Sequence, residues 1–152
     1  MNQENLDDLI RRLHLEPLEG EGGYFIVDKE INISKEFSQI YYLISAESFS
    51  HLHKLSSTEI WTCVDGDLSE QLLINEKGDY NIKNLSNNRI DASISSIVEK
   101  NIWQGTKLVK GGTWALFSIT VIPPYKEESY TEATDILIEK FSNCPILKEF
   151  LN

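Results

Sequence analysis

The sequence predicts an all-β domain, a sandwich or barrel of about nine strands with short helices at either end. Short runs rich in β-branched and aromatic residues follow one another at regular spacing through the middle of the chain. No segment between them is long enough to form the crossover helix that parallel strands require. With 152 residues, the chain is expected to form one domain, residues 1–152.

The chain begins with one short amphipathic helix, predicted over residues 3–14, and Pro17 is expected to stop it. The apolar residues that recur at helical spacing are Leu6, Leu9, Ile10 and Leu13. The segment "EGEGG" that follows is interpreted as a turn, because it lacks the Lys and Ser/Thr of a phosphate-binding loop.

The β barrel is predicted over about residues 22–123. Its strands are expected at "GYFIVD", "FSQIYYLIS", "FSHLHKL", "EIWTCVD", "LSEQLLIN", "YNIKNL", "ISSIVE", "WQGTKLV" and "TWALFSITVI". C-terminal helices are expected over about residues 131–151. The first would be N-capped by Thr131 and the second would begin at Pro145.

The amino-acid composition argues against nucleic acid and membrane as binding partners. A formal net charge of -10 disfavours nucleic acid, because binding to phosphates depends on clusters of Lys and Arg. No stretch reaches the roughly 18 consecutive apolar residues of a membrane span, and the N-terminus does not resemble a signal peptide. We therefore expect a cytoplasmic protein. Cys63 and Cys144 are expected to be reduced, since they form no recognisable redox or zinc motif.

Strand periodicity brings polar residues together on one face. In "FSHLHKL" the side chains of His51 and His53 point the same way, and in "EIWTCVD" so do Glu59 and Trp61. If the turn at 56–58 closes an antiparallel pair, both sets face one interior. A buried carboxylate beside histidines is costly unless it is paired, so these residues are candidates for a site.

These residues resemble the first motif of the cupin superfamily, an H-x-H followed by a glutamate and then a glycine, here His51, His53, Glu59 and Gly66. The chain is more similar still to the cupin-5 family, also called domain of unknown function 985, which is RmlC-like. The matching segments are "EGGYF", His53 with "EIW" and "GD", Trp103-Gln104, Gly112 with "WAL", and "TV" with Pro123.

The resemblance implies a double-stranded β-helix, the cupin jelly-roll barrel, whose interior holds the motif residues, and it implies a homodimer. It does not fix the activity, because a fold does not determine function. The chain departs from the family at Thr62, where a histidine is common, and at 99–101, where "P-x-G" is usual. The second-motif histidine of metal-binding cupins has no counterpart, and Trp103 or Gln104 occupies its place.

Three functions are compatible with this pattern. The favoured one is a pocket for a small polar organic molecule, such as a sugar or nucleotide-sugar, with His53 and Glu59 as a tentative acid-base pair for isomerase or epimerase chemistry. The residues expected to bind this ligand are Tyr24, Phe25, His51, His53, Glu59, Trp61, Trp103 and Gln104.

The second hypothesis is a divalent metal held by His51, His53 and Glu59, an arrangement resembling two histidines and a carboxylate around iron. It is possible but not favoured, so the cofactor is left unknown, and whether the chain is an enzyme stays open. The third is a structural role, in which a non-catalytic dimer binds a partner and His53 and Glu59 only satisfy each other.

Overall fold

The computed structural model describes residues 4–30 and 34–152 of the chain. Within them, eleven strands form two antiparallel sheets, which confirms the predicted all-β class. The strands are β1 (Glu16–Pro17), β2 (Tyr24–Val27), β3 (Ser38–Ser45), β4 (Ser50–Leu55), β5 (Thr58–Gly66), β6 (Ser69–Ile74), β7 (Tyr80–Leu85), β8 (Ser95–Val98), β9 (Trp103–Leu108), β10 (Trp114–Ile122) and β11 (Tyr130–Glu132).

The two sheets are formed by strands that are distant in sequence. The six-stranded sheet has the order β1-β2-β3-β10-β5-β8, and the five-stranded sheet has the order β11-β4-β9-β6-β7. β4 and β5 lie in different sheets, so the antiparallel pair expected around residues 56–58 does not form. The polar sets on the two strands nevertheless meet, because the inner faces of the two sheets pack against each other.

The N-terminal helix, α1, spans Leu6–Leu13, shorter than the predicted 3–14, whose first residue lies outside the described part of the chain. Asn5 caps it by accepting a hydrogen bond from the backbone N–H of Asp7. His14, in the left-handed conformation, ends the helix before Pro17 is reached. The helix packs on the outer face of the six-stranded sheet.

The C-terminal region differs from the prediction. Thr131 does not cap a helix; it lies in β11 and pairs with Lys54 of β4. The edge of β4 offers backbone hydrogen-bonding groups to a neighbouring chain segment, and pairing there outweighs the local helical pattern. The helix α2 is limited to Ile136–Lys140, and 3-10 helices span Glu127–Ser129 and Pro145–Phe150. Pro145 does begin the last of these, as predicted.

Three apolar clusters hold the layers together. The central cluster fills the space between the sheets around Tyr42, Trp61 and Phe117. A second covers the outer face of the five-stranded sheet with the C-terminal segment, including Phe150. The third joins α1 to the outer face of the six-stranded sheet through Trp114. In the described part of the chain no helix has the length and apolar character of a membrane span.

Candidate functional site

The turn before β2 brings an acidic side chain to the interior. The backbone of Glu21 accepts a hydrogen bond from the His51 N–H, and its carboxylate accepts one from the Ser50 hydroxyl at 3.1 Å. The next two residues must be glycine. A Cβ on Gly22 would collide with the backbone carbonyl of Phe49, and both Gly22 and Gly23 have positive φ. The glycines therefore let the turn approach β4 closely enough to place Glu21.

His53 is almost fully buried and held at both ring nitrogens. Its Nδ1 lies 2.7 Å from the carbonyl oxygen of His51, which can only accept, so Nδ1 carries the proton. Its Nε2 lies 2.9 Å from the Gln104 side-chain nitrogen and 3.6 Å from the Glu21 carboxylate. The ring is therefore fixed between a backbone carbonyl at one nitrogen and an amide and a carboxylate at the other.

A chain of buried hydrogen bonds continues from Gln104 across the five-stranded sheet. The Thr106 hydroxyl donates to the Gln104 side-chain oxygen at 3.2 Å, and the Gln71 amide donates to that hydroxyl at 3.0 Å. Both of these hydrogen bonds are donated in the direction of Gln104 and His53. The Gln104 oxygen accepts from Thr106, and the Gln104 nitrogen is the atom that faces Nε2 of His53.

Glu59 is the second interior carboxylate, and only 5% of it is exposed. Burial raises the pKa of Glu59 to about 7; the nearby His53 ring lowers it, and the Glu21 carboxylate adds to the rise. Near neutral pH Glu59 can therefore either give or take a proton. Two neighbouring carboxylates with differently solvated surroundings are an arrangement that acid-base sites use.

A cavity of about 440 Å³ opens beside these carboxylates. The six-stranded sheet contributes seven of the fourteen residues that line it, and both Glu21 and Glu59 are among the lining residues. Its size lies in the range of sites for small organic ligands, roughly 300–1,000 Å³. His53 does not line it and lies behind Glu21, so it would act on a bound molecule through that carboxylate.

The eight residues predicted to bind a ligand fall into different places. Phe25 and Glu59 line the cavity. His53 and Gln104 form the hydrogen-bonded pair behind it. Trp61 is fully buried between Tyr42 and Phe117, where its ring fills the core rather than walls a cavity.

Tyr24, Trp103 and His51 are not brought to the cavity. Tyr24 packs in the cluster under α1, and Trp103 packs under the C-terminal segment, so both lie on outer faces. The reason is strand alternation: Phe25 and Gln104 point inward, and their neighbours Tyr24 and Trp103 must point outward. The His51 ring packs edge-on against Phe49 at 4.7 Å between centroids.

The donor set does not fit the metal ion of the second hypothesis, held by His51, His53 and Glu59. Both His53 nitrogens are already engaged in hydrogen bonds, and His51 packs against Phe49. Across residues 4–30 and 34–152, no three His, Cys, Asp or Glu side chains cluster so that they could hold a metal. The chemistry of this site is therefore derived from its protein side chains.

The sequence pattern did not identify Glu21, Tyr42 or Tyr130 as site residues. The negative charge of Glu21 reaches both tyrosines, because after burial it is the largest cause that raises the pKa of each. Tyr130 stacks on the His53 ring at 5.2 Å, and Tyr42 donates to the Gly22 carbonyl at 2.6 Å. Glu21 belongs to the "EGGYF" segment that carries the family resemblance, but the sequence predicts only Tyr24 and Phe25 of that segment as site residues.

The comparisons with known proteins agree with this architecture. The family model Cupin_5, described as cupin superfamily (DUF985), matches residues 7–133, most of the chain. The chain belongs to the Cupin_5 family. No curated protein matches this Cupin_5 chain. The resemblance predicted from the motifs around His53 and Glu59 is thus confirmed.

Solved structures similar to this Cupin_5 protein confirm the cupin jelly-roll fold. A protein from Shewanella oneidensis has a TM-score of 0.86 at 21% identity, with 99% of each chain covered. A hypothetical protein from Leishmania major has a TM-score of 0.84 at 22% identity, covering 97% of this chain and 99% of its own. Oxalate decarboxylase from Bacillus subtilis has a TM-score of 0.61 at 15% identity, with 91% of this chain matching 35% of that one.

Proposed function

We propose that this Cupin_5 protein binds a small polar organic molecule in the cavity between its sheets and transfers a proton to or from it. The observation that carries the proposal is the pair of carboxylates, Glu21 and Glu59, that face one cavity with His53 directly behind Glu21. A cavity with few, convergent polar groups and a carboxyl that titrates near neutral pH is typical of an acid-base site.

The roles follow from the positions of the groups. Glu59, with a pKa of about 7, exchanges a proton with the ligand. Glu21 faces the ligand from the turn, and His53, whose Nε2 lies 3.6 Å from Glu21, is the group that can share a proton with that carboxylate. The reaction class is an isomerisation or epimerisation, in which one proton leaves the ligand and another returns, and no oxidant or cofactor is needed.

A ligand screen tests the proposal. Neutral sugars, nucleotide-sugars, carboxylates and amines are added to isotopically labelled protein, and the resonances of Phe25, Glu59 and Gln104 are followed by NMR. We expect at least one class to shift these resonances and not those of the exposed Ile136 in α2. Failure of every class to shift them would contradict the proposal.

A variant and an elemental analysis complete the test. Glu59→Gln keeps the shape of the side chain and removes its proton, so turnover should be lost while the ligand is still bound; full turnover would remove Glu59 from the mechanism. Metals should also be measured on protein purified without a histidine tag, beside His53→Ala. Near-stoichiometric metal that disappears in the variant would replace this proposal with the metal-dependent alternative.

A further inference from the structure

The charged side chains in the wall of the cavity are all acidic. Two carboxylates, Glu21 and Glu59, are the ionisable acids in its wall, and none of the described residues that line it is Lys or Arg. The nearest imidazole, His53, does not line the cavity and lies 3.6 Å from the Glu21 carboxylate, behind it. A ligand that carries phosphate or carboxylate would enter a field of the same sign, which repels it. The wall therefore disfavours anions, including the nucleotide-sugars suggested by the sequence.

Glu59 has no Lys or Arg partner among the described residues. Its side chain is buried, it forms no ion pair with any Lys or Arg of the described residues, and it lines the cavity. The indole N–H of Trp61 favours its charged form only weakly, and that nitrogen has no hydrogen-bond partner of standard geometry in the described part of the chain. A buried carboxylate in this state is costly, and a cation placed in the cavity would offset that cost.

The rest of the wall is apolar. Nine of the fourteen lining residues are aliphatic, proline or phenylalanine, among them Phe25, Phe37 and Ile119. Such a wall offers few hydrogen-bond partners to the hydroxyl groups of a sugar, whereas it favours an apolar body. Aromatic rings in the wall, including that of Tyr125, can also attract a positive charge through their faces.

We propose that the ligand of this cavity is an organic cation, an amine whose ammonium group faces Glu21 and Glu59 and whose apolar body lies along the sheet. This inference rests on the proposed function, since it names the class of molecule that the same cavity binds. The ammonium group supplies a counter-charge to Glu59 from the cavity side, where the wall offers no Lys or Arg. The apolar body covers the wall that a polyol would leave unsatisfied.

Binding should be linked to proton release. Because the pKa of Glu59 is raised to about 7, part of the population carries a proton there at pH 7. A nearby ammonium group favours the charged carboxylate and lowers that pKa, so protons leave as the amine binds. A neutral ligand of the same shape would cause no such release. Calorimetry in two buffers of different ionisation enthalpy measures the number of protons released.

The test compares three molecules that share a phenylethyl body and carry a positive charge, no charge or a negative charge. 2-Phenylethylamine, 2-phenylethanol and 3-phenylpropionate are titrated into the full chain at pH 7, with glucose and a nucleotide-sugar beside them, and binding is followed by calorimetry and by NMR of the cavity residues. We expect the amine to bind at least tenfold more tightly than the alcohol, with protons released. The propionate should bind more weakly than either.

Two variants test whether the carboxylates cause the preference for the amine over the alcohol. Glu59→Gln should reduce affinity for the amine about tenfold and leave that for the alcohol unchanged, and Glu21→Gln should act in the same direction. Glu19→Gln removes an exposed carboxylate from the same turn and is the matched control. It should change neither affinity. Circular dichroism of each variant confirms that it is folded.

The outcomes separate the two proposals. Equal affinities for amine and alcohol, or an amine preference that survives Glu59→Gln, would overturn the cationic ligand while leaving the cavity as a binding site. So would tighter binding of the propionate, glucose or the nucleotide-sugar. If no probe of any charge shifts the cavity residues, the proposed function itself fails, and this inference fails with it.

Discussion

The buried carboxyl of Glu59 should make the stability of the fold depend on pH in a defined direction. In the unfolded chain Glu59 is expected to titrate near its usual pKa of 4.5, whereas burial raises the pKa to about 7 in the folded state. Between these values the folded state binds more protons than the unfolded state. The free energy of unfolding therefore falls as the pH rises from about 4.5 to about 7.

The magnitude follows from the same two values. They differ by about 2.5 pH units, and at ~1.36 kcal/mol for each unit the loss of stability approaches about 3 kcal/mol. Glu59→Gln removes this titration and keeps the shape of the side chain. Relative to the unsubstituted chain, the variant should gain about 3 kcal/mol between pH 4 and pH 8, because only the unsubstituted chain must then bury a charged carboxylate.

Urea unfolding of both proteins at intervals from pH 4 to pH 8 measures this difference. Other titrating groups contribute to both proteins and cancel in the comparison, and Glu19→Gln, an exposed carboxyl, controls for the loss of one glutamate. A difference in unfolding free energy that stays constant across this range would refute the reasoning, because Glu59 would then titrate alike in both states.

Three further predictions concern the architecture of the site. Gly22→Ala should destabilise the fold by about 2 kcal/mol more than Gly20→Ala in urea unfolding, because both residues have positive φ but only the first would collide with Phe49; equal losses would contradict this. Gln104→Ala should cost about 3 kcal/mol, since it leaves Nε2 of His53 buried without its donor, and a loss below 1 kcal/mol would show that the pairing contributes little. A homodimer is predicted from the family resemblance, and light scattering at micromolar concentration should give twice the single-chain mass of 17.4 kDa; the single-chain mass would refute it.

The strands and the buried pair could be predicted from the sequence because their signals are local. Alternation in "FSHLHKL" and "EIWTCVD" placed His53 and Glu59 on inward faces, and the structure agrees. Alternation applied to "WQ" would also have separated Trp103 from Gln104, since adjacent residues on a strand point to opposite faces. Assigning Trp103 and Gln104 to the site together placed the outward-facing Trp103 ring in the predicted site.

What the sequence could not supply depends on contacts between distant segments. Glu21 belongs to the site because a glycine turn packs on Phe49 and Ser50, a contact that no local pattern encodes. Thr131 joins a strand because the edge of β4 is available to it, although its own neighbours form a helical pattern. In both cases tertiary pairing overrides or supplements local preference.

The C-terminal segment packs on the outer face of the five-stranded sheet, behind the strand that carries Gln104. Phe150 packs so closely on Gly105 that a Cβ there would lie 2.9 Å from its ring. Gly105 directly follows Gln104, so a larger residue at 105 would have to displace Phe150 or shift the strand that carries Gln104. The packing of Pro145–Phe150 and the position of β9 are thus linked, and a substitution of Phe150 is expected to disturb the Gln104–His53 contact without touching the cavity wall.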